Sequence, residues 1–101
     1  MISIILVSAT VFEIEPTLQF LDHYKTAKTH SYIFGKFAID VCITKVGMVN
    51  TAFELGKLAG KHYDIAINAG VAGSFGEYNE GEVVNVTDDC FSELGAEDDE
   101  E

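Results

Sequence analysis

Ile65-Ala66-Ile67-Asn68-Ala69-Gly70-Val71-Ala72-Gly73-Ser74-Phe75 is a short apolar run that stops abruptly in glycine and small residues. Asp64 to Ala69 is too short for a buried helix and does not alternate, so it reads as a fully buried, parallel strand. Gly70 and Gly73 stand where the carboxyl end of that strand emerges. In an open α/β sheet this is the edge at which ligands bind, because the chain reverses there and leaves a crevice with exposed backbone groups. Two readings of the glycines stay open. They let the backbone approach a small molecule closely, or they belong to an ordinary strand-to-loop turn.

The chain has 101 residues, is 48% hydrophobic and carries a formal charge of -11. That composition is that of one globular domain, or part of one, with a modest core. Eight of the seventeen acidic residues lie from Asp88 onward and all six basic residues lie before it, so residues 1 to 87 have nine acids against six lysines, a net of -3. With no arginine and no basic patch, neither nucleic acid nor an anionic membrane surface is an expected partner. Cys42 and Cys90 are far apart, without CxxC spacing, and read as reduced, structural thiols of a cytoplasmic protein. Met1 to Val7 has no basic flank and is too short to span a bilayer, which makes it a strand and not a signal.

Residues 2 to 8 form a first buried strand by the same reasoning. Thr10-Val11-Phe12-Glu13 has the Thr-x-x-Glu pattern of a capping box, with Thr10 as N-cap and Glu13 at the third helical position. Pro16 fits a first turn, and Ile14, Leu18, Leu21 and Tyr24 recur at helical spacing on a face toward the sheet. Lys25 to Ser31 reads as a loop. Tyr32 to Phe34 and Lys36 to Thr44, split at Gly35, read as two strands joined by a tight turn. Met48 to Gly60 places Val49, Ala52, Phe53, Leu55, Gly56 and Ala59 on one arc, a helix whose glycine allows close packing on a sheet, with Asn50 near its start. Glu82 to Thr87 reads as a further short strand. The order β, α, β, β, α, β, β makes this an α/β sheet with some parallel pairing. His23, His30 and His62 lack ligand spacing, so no metal is expected.

The run from Ile67 to Phe75, followed by Gly81-Glu82-Val83-Val84, resembles the signature of the purine nucleoside phosphorylase and nucleosidase superfamily. Val46-Gly47-Met48-Val49-Asn50-Thr51-Ala52 is similar to its earlier glycine-turn-helix segment. Ala9-Thr10-Val11-Phe12-Glu13 together with Phe91-Ser92-Glu93-Leu94-Gly95-Ala96-Glu97-Asp98 most resembles the futalosine hydrolases, enzymes of an alternative menaquinone pathway. The resemblance covers essentially the whole chain. It implies a phosphorylase/hydrolase-like mixed sheet flanked by helices, a small-molecule nucleoside as partner and no cofactor.

In the hydrolytic members a glutamate just after the first strand activates the attacking water, and Glu13 occupies that position. Cleaving an N-glycosidic bond develops positive charge at the anomeric carbon, and a carboxylate can take a water proton and stabilise that charge. The competing role for Glu13 is the capping box alone. Ala9 and Thr10 match positions lining the ribose and water side of the pocket. Val71, Ala72 and Gly73 match the loop along sugar and base, and Met48 matches a position near the 5′ substituent. Nucleosidases acting on methylthioadenosine usually carry a polar residue where Val71 stands, which weighs toward futalosine. Phosphorylases of the superfamily place a phosphate-binding arginine on the central strand, and Asn68 stands there instead. Water, a neutral nucleophile, therefore suits Glu13 better than a phosphate dianion does.

The superfamily draws its leaving-base acid, an aspartate, and its ribose-holding methionine and glutamate from a later segment. The expectation is accordingly that residues 1 to 101 are the N-terminal portion of a single nucleosidase domain, incomplete and inactive alone, with 97 to 101 a truncation point or disordered. Apolar faces left uncovered would make it a homo-oligomer. A methylthioadenosine or adenosylhomocysteine nucleosidase, a phosphate-dependent phosphorylase and a non-catalytic α/β module with an acidic tail are the alternatives.

Overall fold

The computed structural model describes residues 1–90 and builds a small α/β domain on a mixed four-stranded sheet. Strand β1 (Ile2–Ser8) is followed by a 3₁₀ turn at Phe12–Ile14, helix α1 (Glu15–Leu21) and a second 3₁₀ turn at Asp22–Tyr24. Strands β2 (Ser31–Phe34) and β3 (Phe37–Ile43) come next, then helix α2 (Met48–Gly56) and strand β4 (Ile65–Asn68). Across the sheet the order is β2-β3-β1-β4, with β1 parallel to both β3 and β4 and β2 antiparallel to β3.

Local chemistry accounts for much of this. The β2–β3 hairpin pairs Phe34 with Phe37, leaving Gly35 and Lys36 as the turn, and Gly35 takes φ +60°, which a two-residue hairpin of this kind favours. Pro16 lies in the first turn of α1, where its missing N–H has no helical partner to lose. At the amino edge, the Asp64 carboxylate accepts the Ser3 N–H at 2.8 Å and the Ser3 hydroxyl at 3.1 Å, which pins β4 in register beside β1.

The core lies on one face of the sheet. Leu6, Tyr32 and Val41 pack there with Ile14 and Leu21, while Leu18, Ile39, Ile43 and Ala69 complete the layer. Tyr24 is not part of it. Its ring lies 5.7 Å from Phe20 and 4.8 Å from Phe34, a satellite aromatic cluster over the hairpin.

Three expectations are corrected. The strand at Ile65–Asn68 is parallel as expected but is an edge strand, exposed throughout, because among the described residues only β1 pairs with it. The apolar run fixes a strand, whereas burial depends on neighbours. Glu82 to Thr87 forms no strand and is exposed along its length, with no sheet edge pairing to it. The expected helix over 48 to 60 ends at Gly56, and the chain tightens into i→i−3 turns such as Leu58 N–H to Leu55 C=O. No residue of α2 is buried, and a Cβ on Gly56 would meet nothing within 4 Å, so the close packing expected of that glycine is not formed. Phe91 to Asp98 and the acidic end over 97 to 101 lie outside the described residues.

Candidate functional site

The carboxyl ends of β1 and β4 lie side by side, since Val7 pairs with Asn68 and the Ala69 N–H extends the ladder to the Val7 carbonyl at 2.9 Å. Ser8, with no exposed surface, ends β1, and its hydroxyl donates to the Thr10 carbonyl at 3.2 Å. That bond turns the chain sharply into the segment that carries Glu13. The Glu13 Oε2 atom accepts the Thr10 N–H at 3.1 Å and the Thr10 hydroxyl at 2.9 Å. Its Oε1 atom accepts the Val71 N–H at 3.0 Å. Gly70 makes the approach possible, because a Cβ there would sit 3.0 Å from Oε1.

Only half of a capping box is formed. Glu13 takes the backbone N–H of Thr10, but the Thr10 hydroxyl donates to that same carboxylate and caps no helical N–H. The residues from Phe12 to Ile14 form a 3₁₀ turn and the α-helix begins at Glu15, so Glu13 is not the third residue of α1. A carboxylate bonded by Thr10 alone would be a local cap. The Val71 bond makes it a link between two loops.

The Val71 N–H, then the Thr10 hydroxyl, hold the Glu13 carboxyl below the usual carboxylate range, against a smaller opposing effect of desolvation. Glu13 is thus an ionised acceptor at neutral pH. It is only partly shielded from water.

The other sequence-selected residues divide into two groups. Ala9 and Thr10 lie in the half-buried bend after β1, and Val71 contacts Glu13 through its backbone while its side chain is exposed. Ala72 and Gly73 continue the same exposed segment. Met48 opens α2 after the Lys45–Gly47 turn at the carboxyl end of β3, and the hydrogen bonds that join Glu13 to Thr10 and Val71 do not include it. Asn68 closes β4 beside Val7, adjacent to the glycine turn.

The sequence offered little to single out Ser8 and Thr44, yet both are buried polar residues that finish neighbouring strands at this edge. The Thr44 N–H donates to the Ser8 carbonyl at 2.9 Å and the Thr44 hydroxyl to the Lys45 carbonyl at 2.9 Å. Lys45 itself takes φ +70°, a left-handed conformation that a non-glycine residue seldom adopts. The one signal in the sequence is a hydroxyl residue closing each apolar run.

No protein-family model, curated protein or solved structure matches this chain. Among the described residues no helix is long and apolar enough to cross a membrane, and no three His, Cys, Asp or Glu side chains gather in a metal-binding group.

Proposed function

We propose that this chain carries the water-activating side of a nucleosidase that hydrolyses the N-glycosidic bond of futalosine and releases hypoxanthine. The observation that supports the reading is the meeting of the Glu13 carboxylate with the Gly70-Val71 turn where two parallel strands end together. This is the edge at which open α/β sheets bind small molecules.

In the proposed step a water oxygen bonds to the anomeric carbon as the bond to the base nitrogen breaks. The bonding pair leaves with the base, one water proton passes to Glu13, and a second acid protonates the base. An ionised Glu13 suits the first role, since it also offsets positive charge on the sugar. Backbone groups of Val71, Ala72 and Gly73 would line sugar and base, with Ala9 and Thr10 beside the water and Met48 toward the 5′ substituent. Self-association through the uncovered edge of β4 belongs to the same reading.

A second reading is favoured by the three donors already on the Glu13 carboxylate, which fit a purely structural clamp between loops. Glu13→Gln separates the two. Measured as hypoxanthine release by the protein expressed from its whole reading frame, without phosphate, the nucleosidase reading expects a loss of at least about 100-fold with futalosine binding retained. Unchanged turnover, or turnover that requires phosphate, would contradict it.

A further inference from the structure

The face of the sheet opposite the core holds a different kind of site. A cleft of about 360 Å³ opens between β3, the loop before β2, and the segment from α2 to β4. Three of the six lysines in the chain, Lys28, Lys57 and Lys61, line it with Asp40 and Glu54, while Ile5, Cys42 and Leu58 supply apolar wall. In a chain of charge -11 this is a local concentration of cations.

The charges inside the cleft are unequally satisfied. Lys57 pairs with Glu54 at 3.3 Å. Burial alone would raise the Asp40 carboxyl, but bonds from Tyr63 at 2.7 Å and Ser31 at 2.7 Å, with Lys28 and Lys61 nearby, bring it below its ordinary value. Each Asp40 oxygen therefore already accepts a hydroxyl. Lys28 and Lys61 form no ion pair among the described residues. Both ammonium groups line this cleft, where Lys28 lowers the pKa of Lys61 and Asp40 acts in the opposite direction. Like charges brought together in this way repel, and an anion between them converts the repulsion into attraction.

We propose that this cleft binds a small organic phosphate, the phosphate dianion lying between Lys28 and Lys61 and the organic part resting on Leu58, Cys42 and Ile5. Ammonium groups bind phosphate as point charges and do not need the bidentate geometry of arginine, which this chain lacks. The cleft volume falls in the range that holds a small molecule. The proposal is independent of the role of Glu13, which lies at the carboxyl edge of the sheet and does not line this cleft.

The test is a titration of the whole chain with phenyl phosphate, inorganic phosphate and phenol at constant ionic strength, followed by amide and lysine side-chain NMR. Phenyl phosphate is expected to saturate, to bind more tightly than inorganic phosphate, and to shift Lys28, Lys61 and Leu58, while phenol leaves them unmoved. Lys28→Met and Lys61→Met are each expected to weaken binding about tenfold. Lys36→Met, which removes a lysine outside the cleft, should change it less than about twofold. All three side chains are exposed, so the variants should fold, and circular dichroism checks that. Absence of saturation, or equal losses in Lys36→Met and Lys61→Met, would overturn the site.

Discussion

Glu13 Oε1 accepts the Val71 N–H across 58 positions of sequence, at 3.0 Å. The bond ties the loop leaving β1 to the loop leaving β4, and the Thr10 bonds fix the same carboxylate from the other side. Because these donors lower the Glu13 pKa in the folded state, the stabilisation is present above the unfolded value, near 4.5, and is lost as pH falls through the folded value. Urea denaturation should therefore find Glu13→Gln less stable than the parent at pH 7. The difference should close below pH about 4.5. A gap that persists unchanged in acid would show that the carboxylate is not the group that holds the loops.

Gly70→Ala tests the close approach by itself. The added Cβ would meet Oε1 at 3.0 Å, and the flexible end of Glu13 must give way. The expected outcome is a small change in stability, within about 1 kcal/mol, and faster hydrogen exchange at the Val71 amide. An unaltered exchange rate would mean that the carboxylate accommodates the methyl group without releasing Val71.

The partly buried contact between Tyr63 and Asp40 makes a prediction at alkaline pH. Burial, then the bond to Asp40, push the Tyr63 hydroxyl from 10.0 up to about 12. The folded pKa is raised, so its contribution to stability is complete below pH about 10 and is lost as pH rises toward about 12. Ultraviolet titration should show one of the four tyrosines ionising late, and Tyr63→Phe should remove that step. The variant should cost about 1 kcal/mol at neutral pH, since the pair is partly exposed.

Two apolar side chains separate the packed face from the unpacked one. Leu21 is 3% exposed in the core, whereas Phe53 on α2 is 65% exposed. Leu21→Ala should cost about 2–4 kcal/mol in chemical denaturation. Phe53→Ala should stay within about 0.5 kcal/mol. Equal losses would place α2 against the sheet in solution.

The strands were legible where the sequence carries its own geometry. β1 is a continuous apolar run and the hairpin is marked by Gly35, whereas α1 starts at Glu15, later than the Thr10 cap that the sequence suggests. Burial of β4 was not legible, because Ile65-Ala66-Ile67 reads alike whether covered or lying at an edge. Val83, Val84 and Val86 have strand chemistry, but a strand also needs a partner edge. At the site, the nearness of Glu13 to Gly70 follows from two parallel strands ending together. The cleft of Asp40, Lys28, Lys61 and Tyr63 gave no such sign. Asp40 reads as the polar step of an alternating strand, and only the fold brings the others to it.

In the nucleosidase reading, Glu13 and the glycine turn form one nucleoside-binding edge. An NMR titration of the labelled chain with futalosine tests this most directly. Saturable shifts at Thr10, Glu13, Val71 and Gly73 are expected, with weaker binding in Gly70→Ala. Shifts that never saturate, or that fall only on the Lys28 and Lys61 face, would contradict it.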